Sequence, residues 1–466
     1  LLASTAIAAP AFAITGDVSG FLHVRGVAAD NMDGRDKDGQ KPANGDSGLY
    51  DDNTRAVDER LRLFTTAALN ENVKAVFTVE VDYVWGDTGV GKLGADQKGE
   101  IEIANLYLDF NMPEANTNVK AGTHYFKTGG GLILAEHAAG VSTRTAFGEN
   151  LNLGLYWVKQ VEGVRTTTTY PTQGVDHNGD GKIDSKDLIN TVSTDYGDED
   201  DNYDVDYYHA QLDIKAGDMT VTPFVAYYDV DDATALWRAK RPGNPSSSEN
   251  QQFYYGLELK GKAAALEYSA AAFYNDGRIN GANNDAFAFL ANAGYTMADT
   301  KLIAEVARYG DSDTYTGQIV NVMGYNNFAE VITGGNFDKR TTSAGTAQTA
   351  SGYGNAAYAM NFQYVKLGVE QKVHEKGKIR GYYIYAEEAA DVDPTYAAAA
   401  RGGQKRITFG HELDLYYDYT VVPGLIATLG GGYLLADDDF GYAKVGTKTI
   451  GGDDAWKAGL GLAYKF

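Results

Sequence analysis

The chain has 466 residues, no cysteine, 55 glycines, 33 tyrosines and a formal net charge of −23. Such acidity argues against nucleic acid, which needs a basic footprint. The missing cysteine excludes a disulfide framework and thiolate-ligated zinc.

Length alone suggests two or three soluble domains, yet no composition shift marks a linker, and a large barrel forms a single unit. Residues 1–13, LLASTAIAAPAFA, form a short apolar run closing on Ala11-Phe12-Ala13. A small-residue pattern of this kind reads as the remnant of a secretory signal peptide cleaved near Ala13. No later run reaches about eighteen apolar residues, so no helix is expected to span a membrane.

From Ile14 the chain alternates Leu22 and Val24 against His23 and Arg25, then enters an acidic loop over 28–56. Alternation returns in ERLRLFTTAAL, turns at Asn70-Glu71-Asn72, and resumes in VKAVFTVEVDYVW, where Val79 and Val81 oppose Glu80 and Asp82. Residues 101–110 and 119–126 read as strands, 127–141 as a loop, 142–148 as a short strand and 151–161 as another. A long insertion covers 162–203, and eleven further strands are predicted between 204 and 466. The last of them, WKAGLGLAYKF, sets Trp456, Leu460, Leu462, Tyr464 and Phe466 on one face against Lys457 and Lys465. Period-two alternation puts the two sets on opposite faces of a strand.

Short turns and long loops alternate throughout. The expected fold is therefore all-β: a transmembrane antiparallel up-and-down β-barrel of eighteen strands, with sixteen as the alternative if a weak pair is spurious. Residues 14–466 form its single domain. A soluble propeller or sandwich is disfavoured, because ten-residue strands are long for globular proteins. Tyrosine pairs near strand ends, such as Tyr207-Tyr208 and Tyr416-Tyr417, suit interfacial girdles. A dry core also could not hold Arg60, Arg62, Glu80, Asp82, Glu412 and Asp414.

The leader ending in Ala11-Phe12-Ala13, GDVSGFLHVRG, RLRLFTTAALNENVKAVFTVEV, NLYLDFNMP with VKAGTHYFKTGGGLIL, and the last strand ending in Tyr464 and Phe466 carry a resemblance. Together they resemble the porins of Gram-negative outer membranes, over essentially the whole chain after the leader. The resemblance implies a homotrimer in the outer membrane among lipid and lipopolysaccharide, and a terminal phenylalanine read during assembly. It also implies an inward-folded third loop narrowing the pore, by position 127–141, with Glu136 and His137.

The candidate pore-lining residues are His23, Arg25, Arg60, Arg62, Glu80, Asp82, Glu102, His124, Glu136, His137 and Arg144. The basic residues of the first two strands would form one wall of a transverse field opposed by Glu80, Asp82 and Glu102. The other reading makes all of them solvated lumen residues. DHNGDGKIDSKD at 176–187 resembles an EF-hand-like or dockerin-type loop. Asp176, Asn178, Asp180, the Lys182 carbonyl, Asp184 and Asp187 would supply oxygens to a structural calcium ion around the turn at Gly181. No G-x-S-x-G, H-E-x-x-H or P-loop pattern occurs, so no enzyme is expected. The expected function is passive diffusion of small hydrophilic solutes and ions through a water-filled channel. The alternatives are a channel selective for an anion or small organic acid, and a surface-layer anchor using calcium-bound acidic loops.

Overall fold

A strand that alternates apolar and polar side chains needs two different surroundings, and the fold supplies them by closing one sheet on itself. The structure is a computed structural model describing residues 15–32, 54–86, 101–161, 166–168, 192–194, 205–230, 251–279, 282–311, 322, 324–335, 337, 361–400, 403–441, 443–445 and 448–466. The expected leader and most of the insertion 162–203 lie outside the described residues.

Eighteen strands make the wall. They are β1 Thr15–Asp30, β2 Thr54–Asn70, β3 Val73–Val84, β4 Ile101–Met112, β5 Thr117–Thr128 and β6 Leu134–Ala146. Next come β7 Leu151–Val161, β8 Val205–Ala216, β9 Met219–Val230, β10 Gln251–Ala263, β11 Leu266–Ile279 and β12 Ala286–Met297. The last six are β13 Thr300–Tyr309, β14 Phe362–His374, β15 Gly377–Glu387, β16 Thr408–Val422, β17 Leu425–Ala436 and β18 Ala455–Lys465. A two-residue strand, Ala282–Asn283, extends the end of β11. A seven-residue helix α1, Pro394–Ala400, sits in the connection between β15 and β16.

Every wall strand pairs antiparallel with its chain neighbour, and β1 pairs with β18 from Phe21↔Lys465 to Asp30↔Trp456. Backbone bonds between Gly20 and Phe466, 2.9 and 3.1 Å, complete that seam. Among the described residues the wall sheet keeps no open edge, as strands in hydrocarbon require. Short connections such as 71–72, 217–218 and 375–376 gather at one end with the start of β1 and the end of β18. Long connections occupy the other end.

Burial runs opposite to that of a soluble protein. Leu460 is 56 % exposed and Leu415 63 %, whereas Lys457 is 1 % exposed and Glu412 0 %. The apolar face of each strand points out and the polar face in, as the alternation predicts. Tyrosine and tryptophan tips at the long-loop rim bond to carboxylates: Trp157 to Asp206 at 2.8 Å and Tyr433 to Asp454 at 2.8 Å. Each such ring places an apolar body low and a polar tip high, marking the edge of the hydrocarbon belt.

One element departs from the sequence reading. The segment expected as a loop over 127–141 is mostly strand, and β6 begins at Leu134, eight residues ahead of the expected start at Ser142. Its LAEHAA stretch faces neither lipid nor open water in alternation, so period two gives no signal there.

Replacing Leu460, midway along the outer face of β18, with arginine should destabilise the barrel by about 2–4 kcal/mol. Reversible unfolding from lipid vesicles measures this, and an unchanged midpoint would contradict the outward assignment.

Candidate functional site

Two segments leave the wall and enter the lumen. The first is the tip of the β5–β6 hairpin. Pairing of β4 with β5 stops at Thr123 and pairing of β6 with β7 begins at Ala139, while β5 and β6 stay paired out to Thr128↔Leu134. Freed from both neighbours, this ribbon bends inward. Its turn, Gly129–Gly131, has positive φ at all three residues and reaches β10 and β11 across the barrel. There the Gly130 N–H donates to Glu258 Oε1 at 3.1 Å, and a Cβ on Gly130 would lie 2.6 Å from that of Ala271. Leu132, Ile133 and Leu134 are fully buried in a cluster with Tyr207, Tyr228, Tyr254 and Phe273. That burial places the apolar LIL at the ribbon tip.

The second segment is residues 324–335 of the connection between β13 and β14. It meets the ribbon directly: Val322 N–H donates to Ile133 O at 3.1 Å and Tyr325 N–H to Gly131 O at 2.8 Å. Beyond that junction it docks on the wall. Glu412 accepts from the Val331 and Ile332 N–H groups at 2.6 and 3.0 Å, and Asp414 accepts from Glu330 N–H at 3.2 Å. Lys366 donates to Phe328 O at 2.7 Å. Together the two segments form a strap across the lumen.

A cavity of about 540 Å³ lies beneath the strap, lined by Lys127, Arg144, Asp213, Glu258, Lys260 and Glu305 among others. Cross-strand register organises its wall and runs past it: Lys260, Ser269, Asn292 and Glu305, which line the cavity, and Lys366 beyond it are successive partners on the lumen faces of β10 to β14. Adjacent strands are about 4.8 Å apart, so this is one polar row around the wall. A smaller cavity of about 200 Å³, lined by Lys120, His124, Lys127 and Arg144, shares two of those residues.

Arg25, Arg60, Arg62, Glu80 and Asp82 share the strand faces of buried Asp58 and Thr78, on the lumen side, but they pair with one another and do not form two opposed walls. Arg25 binds Asp58 through two bonds of 2.8 and 2.6 Å, and Arg60 binds Asp82 at 2.6 and 2.5 Å. Arg62 pairs with Glu80, and Arg144 with Asp213. In the first three pairs the acid stands beside the arginine on the neighbouring strand, with register placing Arg60 opposite Asp82 and Arg62 opposite Glu80; Asp213 on β8 reaches Arg144 on β6 across β7. His23 lies opposite Arg60, and Glu102 lies opposite Glu80 at an exposed position on β4.

His124 joins β5 to β6, with Nδ1 at 3.0 Å from Gly122 O and Nε2 at 2.9 Å from Ser142 Oγ. On the ribbon, Glu136 accepts from the His137 N–H at 2.9 Å, and His137 Nδ1 lies 2.9 Å from Asn105 Oδ1 on β4. Sequence reasoning missed Asp58, Glu330 and the docking role of Glu412 and Asp414. The weak signal for the second segment was GYNNFAEVITGGNF, more apolar than the acidic loops around it. The expected calcium ligands Asp176, Asn178, Asp180, Lys182, Asp184 and Asp187 lie outside the described residues.

Because Arg60 and Asp82 are mutually bound and mostly buried, a double-mutant cycle between them should return a coupling of about 0.5–3 kcal/mol. Additive effects of R60A and D82A on vesicle-based unfolding would contradict the pairing.

The sequence matches no protein-family model and no curated protein. Among solved structures, OccK8 (OprE) of Pseudomonas aeruginosa is similar with a TM-score of 0.50 and 10% identity, over 97% of this chain and 98% of that one. OccAB3 of Acinetobacter baumannii aligns with a TM-score of 0.49 and 10% identity, over 97% of this chain and 100% of that one. An anion-selective porin from Comamonas acidovorans gives 0.45 and 11%, over 97% of this chain and 100% of that one. At 10% identity the likeness to OccK8 is one of fold: both chains wind into the same kind of wall.

Proposed function

We propose that the chain is an outer-membrane porin that passes small hydrophilic solutes and ions by passive diffusion. One observation carries this reading: the closed wall turns its apolar face outward and its ionised, hydrogen-bonded face toward the lumen. A bilayer stabilises the first surface and water the second. Solutes pass the strap, where the ribbon tip and residues 324–335 narrow the lumen and the polar row on β10 to β14 supplies donors and acceptors of both signs. Size is the first filter. Arg25–Asp58, Arg60–Asp82, Arg144–Asp213 and Arg380–Asp418 neutralise one another locally, so the sign of an ion is a weaker filter.

The finer parts of the proposal rest on the sequence resemblance. They are a homotrimer, lipopolysaccharide around the long-loop end, and export directed by the leader 1–13. The calcium loop belongs with them, and its support is the spacing of oxygen ligands in 176–187.

Purified protein in a planar bilayer should give discrete ohmic current steps, with a reversal potential in a salt gradient close to zero. A folded preparation without steps would overturn the channel reading, and a strong preference for one sign would overturn the local neutralisation. For the calcium loop, D180A and chelation should lower protease resistance of residues 162–203 to the same extent. Resistance unchanged by either removes the metal from the account.

A further inference from the structure

Residues 324–335 have neither helix nor ladder of their own to hold them, and their position depends on wall side chains. Glu330 is the centre of the attachment. It is fully buried, its Oε1 lies 3.2 Å from Lys457 Nζ on β18, and its Oε2 accepts from the Tyr416 hydroxyl at 2.7 Å. Lys457, also fully buried in its side chain, donates on to Gly334 O at 2.6 Å. Glu330 Oε1 accepts in turn from Phe337 N–H at 3.3 Å, which folds the segment back on itself. Gly335 makes the return at φ 53°, where a Cβ would collide with the Glu330 carboxylate. Gly432 lies between Asp414 and Lys457 in the wall register, and a Cβ there would stand 3.0 Å from that of Glu330.

The attachment is therefore electrostatic at its core. A buried ammonium without its carboxylate must reach water, and here that means lifting the segment lying over it. The segment stands in the lumen, so lifting it changes the open cross-section. Resting on the channel reading above, we propose that the Glu330–Lys457 pair, backed by the Glu412 cap on Val331 and Ile332, is the clasp that sets the channel's aperture. Glu330, Lys457 and Glu412 act as positioning residues: they reach the solute through the segment they hold.

Single-channel recording on E330Q, K457M, K457R and the E330Q/K457M double variant tests this. E330Q and K457M should each raise the unit conductance above the spread of wild-type steps and add open-channel noise. K457R keeps the charge and should conduct as wild type. The double variant removes both charges of the pair and should return toward the wild-type step, a rescue that a loss of packing alone would not give. Should a single variant fail to assemble, E412Q carries the same expectation, since it weakens the cap while leaving the ion pair. Singly substituted barrels that fold and conduct as wild type would overturn the clasp and leave the channel reading intact. A wild type without steps would remove both.

Discussion

Hydrocarbon offers no partner to a backbone N–H or C=O, and the rest of the structure follows from that constraint. A sheet in this solvent cannot keep an edge, so eighteen strands are joined in register until β1 meets β18. Closure creates two surfaces of opposite character from a single alternating pattern. What a soluble protein would bury, such as Leu415 and Leu460, goes outward. What it would expose, such as Glu412 and Lys457, goes inward.

The inward surface then has its own problem, since ionised groups and irregular backbone share a confined space. Both are satisfied together. Several arginines are matched by acids one strand away, as in Arg60–Asp82 and Arg380–Asp418. Where chain enters the lumen, wall side chains take over the work of a ladder: Glu258 caps the ribbon turn, and Glu412 and Asp414 cap residues 330–332. Removing one member of a buried ion pair costs about 3–5 kcal/mol because the other is stranded. Interior charges in this barrel are thus structural: they pair across the wall and hold the elements that cross the lumen.

Which features the sequence disclosed depends on how local their cause is. Facing is local: WKAGLGLAYKF announces Trp456, Leu460 and Leu462 as outward residues, and the structure agrees. The strand count follows from alternating short and long connections, and the predicted strand 142–148 overlaps β6, Leu134–Ala146, which keeps the number even. Pairing is not local. Nothing in RLRLF says that Arg60 will find Asp82, because register is fixed by how two strands slide until their apolar faces match. Lys457 read correctly as facing away from lipid, yet its burial comes from Glu330, which lies in a connection far away in the chain. The ribbon over 124–138 was hidden for a related reason. It is packed between the lumen faces of wall strands and residues 322–325, so neither lipid nor water imposes a period on it.

The absence of cysteine makes the central claim directly accessible. Single cysteines placed at Ser269 and Asn292, which face the cavity, and at Leu257 and Leu302, which face outward, can be exposed to a membrane-impermeant thiol reagent in lipid vesicles. A water-filled lumen predicts modification at 269 and 292 and protection at 257 and 302. Protection of the first pair with modification of the second would contradict the inverted wall on which the whole account stands.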